Sequence, residues 1–166
     1  MTLTLFDAAL MAATLSCALV AGLVLGFAVV VMPGIAKLSD REFLRAFKLM
    51  DGIIQNGQPV FLLIWLGSIA SIVLMLVVGT LQLSGVERYL MWSASGLYLL
   101  AVQGTTLRFN IPLNNAIQGL EIEWLNDSEL AEARIRFEAP WNRWNRFRSL
   151  TATVSVIALL TLQLLS

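Results

Sequence analysis

Four stretches of the chain carry no charged residue, and their lengths set the fold. They run from Ala8 to Ala36, from Gly52 to Val86, from Tyr89 to Leu107 and from Ser149 to Ser166. A helix needs about 20 mostly apolar residues to cross the hydrocarbon core of a bilayer. The pattern therefore predicts four transmembrane helices, over residues 8–32, 60–81, 89–107 and 149–166. The third carries Ser93, Ser95, Gln103, Thr105 and Thr106, so its polar side is expected to face the inside of the bundle. The first lacks a basic leading segment, and its apolar run exceeds the roughly 7–15 residues of a secretory signal, so it is expected to be retained.

Between these spans the polar segments have a pattern of their own. Pro33-Gly34 reads as the stop of the first helix. Ser39 with Glu42 three positions later matches a capping box. From there Phe43, Phe47, Met50 and Ile54 share one helical face, while Arg41, Arg45 and Lys48 occupy the opposite one. That predicts an amphipathic interfacial helix in loop 1, its basic side toward lipid headgroups. Loop 3, about 40 residues from Leu107 to Arg148, is expected to be partly helical. One short helix would follow a break at Pro112, which biases Ile111 toward extended backbone. Another would be capped by Asn126 with Glu129, be supported by Glu132–Arg136, and end at Pro140. The predicted fold class is all-α: a four-transmembrane-helix bundle forming a single integral membrane domain over residues 1–166.

Composition narrows the chemistry. Of the 166 residues, 58% are hydrophobic and 13% charged, against about 25% charged in a soluble domain. Net charge is zero, so nothing suggests a nucleic-acid partner. With no histidine, His-ligated haem, zinc and iron sites and His-based catalysis are excluded. A single cysteine, Cys17, excludes an internal disulfide and a CxxC pair. Ten of the eleven Lys and Arg residues fall in loops 1 and 3, and only Arg88 on the other side. By the positive-inside rule those loops are cytoplasmic, with both termini outside, in a membrane that reads as the bacterial inner membrane.

Three features could carry function. Gly22-xxx-Gly26 would let helix backbones approach closely, and packing within the bundle is its simplest reading. Arg108, Asn110, Asn114 and Asn115 cluster where the third helix leaves the membrane, and Arg108 could reach a ligand anion or a headgroup. Trp141, Arg143, Trp144, Asn145 and Arg148 precede the fourth helix, where an aromatic belt and positive anchors are also expected. Neighbouring helices would bring these two Arg-plus-Asn clusters to one end of the bundle.

These residues carry a resemblance. Arg108-x-Asn110-x-Pro112-x-Asn114-Asn115, then Trp124, then Trp141-x-x-Trp144-Asn145-x-x-Arg148 resembles the pattern of the anthrone oxygenase-like family of small four-helix membrane proteins. Pro33 and Asn56-x-x-Pro59 fall where that family also places polar and proline residues. The resemblance implies an oxidoreductase that converts an anthrone to an anthraquinone with O₂, using neither metal nor organic cofactor. It implies a lipophilic aromatic or quinone-like ligand. Arg108, Arg143 and Arg148 would stabilise its anion, Asn110, Asn114 and Asn145 would hydrogen-bond its ring oxygens, and Trp141 and Trp144 would stack on it. The nearest carboxylates by sequence to act as base, Glu121 and Glu123, lie outside the matched pattern. The alternative is a non-catalytic protein, either an accessory subunit of a partner membrane protein or a binder of lipid or quinone. A transporter ranks last, since no predicted span holds a charge in its interior.

Overall fold

The computed structural model describes residues 3–165; residues 1, 2 and 166, including the last position of the fourth predicted span, lie outside the described residues. Those described fold as five helices with no strand among them. Helix α1 covers Leu5–Ile35, α2 Asp40–Gln55, α3 Pro59–Gln82, α4 residues 85–118 and α5 Asp127–Leu165. A short 3₁₀ turn, Ile122–Trp124, lies between the last two. Helices α1, α3 and α5 are long and apolar enough to cross a membrane, and leucines such as Leu15, Leu63 and Leu160 coat their outer faces. The molecule is a membrane protein in contact with lipid.

Local chemistry explains where the helices start. Thr4 and Ser39 each accept from the N3 backbone and are answered by Asp7 and Glu42, closing the capping boxes of α1 and α2. Asn126 and Glu129 do the same for α5, as their spacing predicts. Gly57 and Gly85 supply positive φ at the turns that precede α3 and open α4. In the second of these turns Arg88 Nε donates to the Leu83 carbonyl at 2.7 Å.

The prolines do not act as the pattern suggests. Helix α1 passes through Pro33 to Ile35, and α4 passes through Pro112 to Gln118. In both, the proline follows a wide π-type turn, Phe27–Val31 in α1 and Thr106–Asn110 in α4. A proline clashes with the carbonyl four residues back and has no N–H to give it. The wide turn shifts bonding to the fifth residue back, as Met32 N–H to Phe27 O and Ile111 N–H to Thr106 O show, which relieves that clash. So neither the stop at Pro33 nor the break at Pro112 occurs. Pro140 does not end a helix either: α5 is one continuous helix of 39 residues, and the span expected at 149–166 is its second half. Phe137, Trp141 and Asn145, one buried stripe on either side of Pro140, hold it in line.

Two cores result. Helices α1, α3, α4 and α5 enclose Leu10, Ala13, Cys17, Ile72, Met75, Met91, Tyr98 and Leu159. At one end, α2 folds over the ends of α1, α4 and α5 and buries Phe43, Leu44 and Phe47 against Met32, Ile117, Phe137 and Trp141. The basic face of α2 is turned to the 120–125 segment. Arg41 donates to the Ile122 and Leu125 carbonyls (2.6 and 2.8 Å), Lys48 to the Leu120 carbonyl (2.6 Å), and Arg45 pairs with Glu123. The cations thus satisfy irregular backbone that has no helical partner. Arg134 does likewise for the chain after α1, donating to Ala36 O and Leu38 O while pairing with Asp40 and Glu138.

Candidate active site

Between the two cores lies a cavity of about 790 Å³, within the range of small-molecule sites. Its wall is built by all five helices. Ala18, Gly22 and Phe27 come from α1, Phe61 and Trp65 from α3, and Val102 and Ile111 from α4. The polar lining gathers at one end: Asp51 and Gln55 on α2, Gln103, Thr106, Asn114 and Asn115 on α4, and Trp141 and Arg148 on α5.

Arg148 is the cation of this wall. Its Nε donates to Asn145 Oδ1 at 2.9 Å, its Nη1 to Thr106 Oγ1 at 3.3 Å, and its guanidinium sits 5.5 Å from the Trp141 ring centre. Among the described residues no carboxylate pairs with it. Asn145 is fully buried and donates its own amide to the Val24 carbonyl at 3.0 Å, so the residue that aims Arg148 is fixed across to α1.

Asp51 is the anion. It is 4% exposed, and three side-chain amides hold it: Asn114 Nδ2 at 2.7 Å, Gln55 Nε2 at 2.7 Å and Gln118 Nε2 at 2.8 Å. A buried carboxylate with no cation beside it is costly unless several donors satisfy it, and here neutral amides do so. Asn114 joins the two charges: its carbonyl accepts from Trp141 Nε1 at 2.8 Å, while the Trp141 ring lies beneath Arg148. Phe27 and Phe47 brace that ring at 5.9 and 5.4 Å between centroids.

Of the residues singled out from sequence, Arg148, Asn114 and Trp141 line the cavity. Asn145 stands directly behind Arg148. Asn110 is buried, with only a long 3.5 Å contact to the Trp141 carbonyl and no partner for its Oδ1. Trp144 lies outside the lining, its face stacked on Phe109 at 3.8 Å. Arg108 and Arg143 are exposed, each beside an aromatic ring, Phe109 and Trp144, and neither lines the cavity. Glu121 and Glu123 are exposed too, and the Arg45 guanidinium holds the Glu123 carboxyl below its ordinary range.

Gly22 and Gly26 are not a packing seam. A Cβ on either would meet no atom within 4 Å, and Gly22 borders the cavity instead. The tightly packed glycine is Gly79, where a Cβ would strike Met91 and Phe6. Sequence reading passed over Asp51, although its position signals it: Phe43, Phe47 and Asp51 follow at i, i+4, i+8, a carboxylate on the apolar face of α2.

The sequence model of a protein family, described as anthrone oxygenase, matches residues 50–158. That stretch contains Asp51, Asn114, Trp141 and Arg148. Neither the curated proteins nor the solved structures yield a match.

Proposed function

The chain belongs to the anthrone oxygenase family, and from that premise we propose that it is a cofactor-free oxygenase of a flat, lipophilic phenolic ketone bound in the cavity between its two cores. The reaction is that of an anthrone with O₂, giving the anthraquinone and one water. The observation that carries this reading is Arg148, a guanidinium on the cavity wall with no carboxylate partner among the described residues. A partly buried cation with no carboxylate bonded to it favours an anion from outside, here the enolate or phenolate that yields electrons to O₂.

The other groups take complementary parts. Trp141 offers its ring edge and, with Phe27, an aromatic wall for a flat ligand. Asn114 and Asn115 supply amides for ring oxygens. Asp51 is the carboxylate of the cavity and takes the part of proton acceptor, which Glu121 and Glu123 would have to play from the surface. The exposed Arg108 and Arg143 serve as headgroup anchors in this reading. Its topology has residues 89–107 of α4 as a fourth span, supported by exposed apolar residues such as Leu100. Residues 36–58 and 108–148 face the cytoplasm in this reading, by the ten-to-one excess of Lys and Arg.

The test is purified protein in phosphatidylcholine liposomes given dithranol, a dihydroxyanthrone, with oxygen uptake and anthraquinone absorbance followed together. Turnover should be lost in Arg148→Ala, partly kept in Arg148→Lys, and kept in Arg108→Ala. Full turnover in Arg148→Ala would remove the proposed role of this residue. Absence of turnover in the wild type, with lipid or quinone bound instead, would favour a non-catalytic binding protein.

A further inference from the structure

The cavity has one polar end and one apolar end, and the apolar end is open on the outside of the molecule. Ala18, Leu19, Gly22 and Leu23 border it, yet all four are exposed; Leu19 and Leu23 keep 47% and 41% of their surface accessible. They lie in the middle of α1, within a helix apolar enough to span a bilayer, so the surface next to them is hydrocarbon. Across from them on α3 stand Leu62 and Trp65. The two helices touch at Ser16 and Ser71, whose hydroxyls are 3.2 Å apart. Beyond that contact the glycines on both sides, Gly22 and Gly26 on α1 and Gly67 on α3, have free space where a Cβ would stand.

We propose that ligand enters the cavity sideways from the bilayer, through the gap between α1 and α3 bordered by Gly22, and that the occupant is an amphiphile with its acidic oxygen at Arg148 and its apolar body along α1. This rests on the functional reading above for the ligand's ring system, though not for its route. Burial of apolar surface moves such a molecule from water into lipid first, and a mouth in the hydrocarbon takes it without a return to water. A missing side chain at position 22 keeps that mouth open. The small residues at 18 and 22 therefore serve passage, where a sequence pattern of small residues four apart suggests helix pairing.

The experiment uses the full chain in phosphatidylcholine liposomes under nitrogen, with dithranol binding followed through quenching of tryptophan emission. Gly22→Leu adds a side chain into free space, so it should fold and melt like the wild type. It should slow both association and dissociation by about an order of magnitude. Leu15→Phe, on the same helix away from the cavity, should change neither rate. Unchanged rates in Gly22→Leu, or weaker affinity at an unchanged entry rate, would overturn the lateral route. A spin-labelled stearate separates this from the anthrone reading. If the wild type ignores dithranol but holds a motionally restricted stearate whose exchange with the bulk lipid Gly22→Leu slows about tenfold, the route stands and the anthrone reading fails. If neither probe registers, both fall.

Discussion

Asp51 shows how an unpromising residue gains significance from its setting. Its three amide partners come from two helices, Gln55 on its own helix and Asn114 and Gln118 on α4, so the carboxylate also fastens α2 to the top of α4. Hydrogen bonds to a charged acceptor contribute about 1.5–3 kcal/mol. Asp51→Asn keeps the shape and removes the charge. It should lower stability by about 2 kcal/mol, read by thermal unfolding in detergent. In the oxygen-uptake assay it should remove turnover while dithranol still binds. A variant that binds and turns over normally would show that Asp51 is a fastener alone. Residues of this kind are legible only in part. The spacing from Phe43 and Phe47 points to Asp51, a signal that the sequence reading passed over, and nothing in one chain could say that the amides of Asn114 and Gln118 would meet it. Arg148, Asn114 and Trp141 stood out because Arg, Asn and Trp cluster beside an apolar span, yet the same signal also raised Arg108 and Arg143, which ended on the surface. A cation beside a membrane looks alike in sequence whether it turns in or out.

At the scale of elements, the apolar runs were readable and their punctuation was not. Charge-free stretches fixed α3 to within a residue at each end and located the middle of α1. The three prolines were misleading because helix breaking is a local expectation, while a wide turn or flanking packing is supplied by the rest of the helix. The amphipathic pattern of α2 was likewise correct, and only its partners differed: the apolar face meets the second core and the basic face meets 120–125. Phe47 is the centre of that packing, edge-on to both Phe137 (4.4 Å) and Trp141 (5.4 Å). Phe47→Ala should cost about 3–5 kcal/mol and loosen α2 before the membrane helices. Hydrogen exchange should show this as faster exchange in 40–55 and 119–126, with the amides of α1 and of α3 unchanged; uniform loss of protection would contradict the two-core description.

For the molecule as a whole, acid sensitivity should come from the capped and clamped end. Glu42, bonded to Ser39, and Glu123, bonded to Arg45, both have their carboxyls lowered from an ordinary 4.5. A carboxyl held lower in the folded state stabilises it above the unfolded value, and that gain is lost as pH falls through the folded one. Thermal stability should therefore decline as pH drops below about 4.5, and the double variant Glu42→Gln, Glu123→Gln should flatten this decline. Both groups are exposed, so the effect is modest and should shrink further in salt. An unchanged pH profile in the double variant would place the acid sensitivity elsewhere.

The two charges on the cavity wall have a consequence for traffic across the bilayer. Among the described residues Arg148 and Asp51 are the only charged groups that line the cavity, so the chamber is formally neutral. A phenol arriving from hydrocarbon must come with its proton on, because the bare anion does not dissolve there. In the proposed reaction proton and anion then part inside the chamber, one bound for each wall, and the sum of charge would stay at zero from arrival to departure of the neutral quinone. Uptake of this kind moves no net charge through the membrane dielectric, and the resting voltage of a cell neither drives nor opposes it.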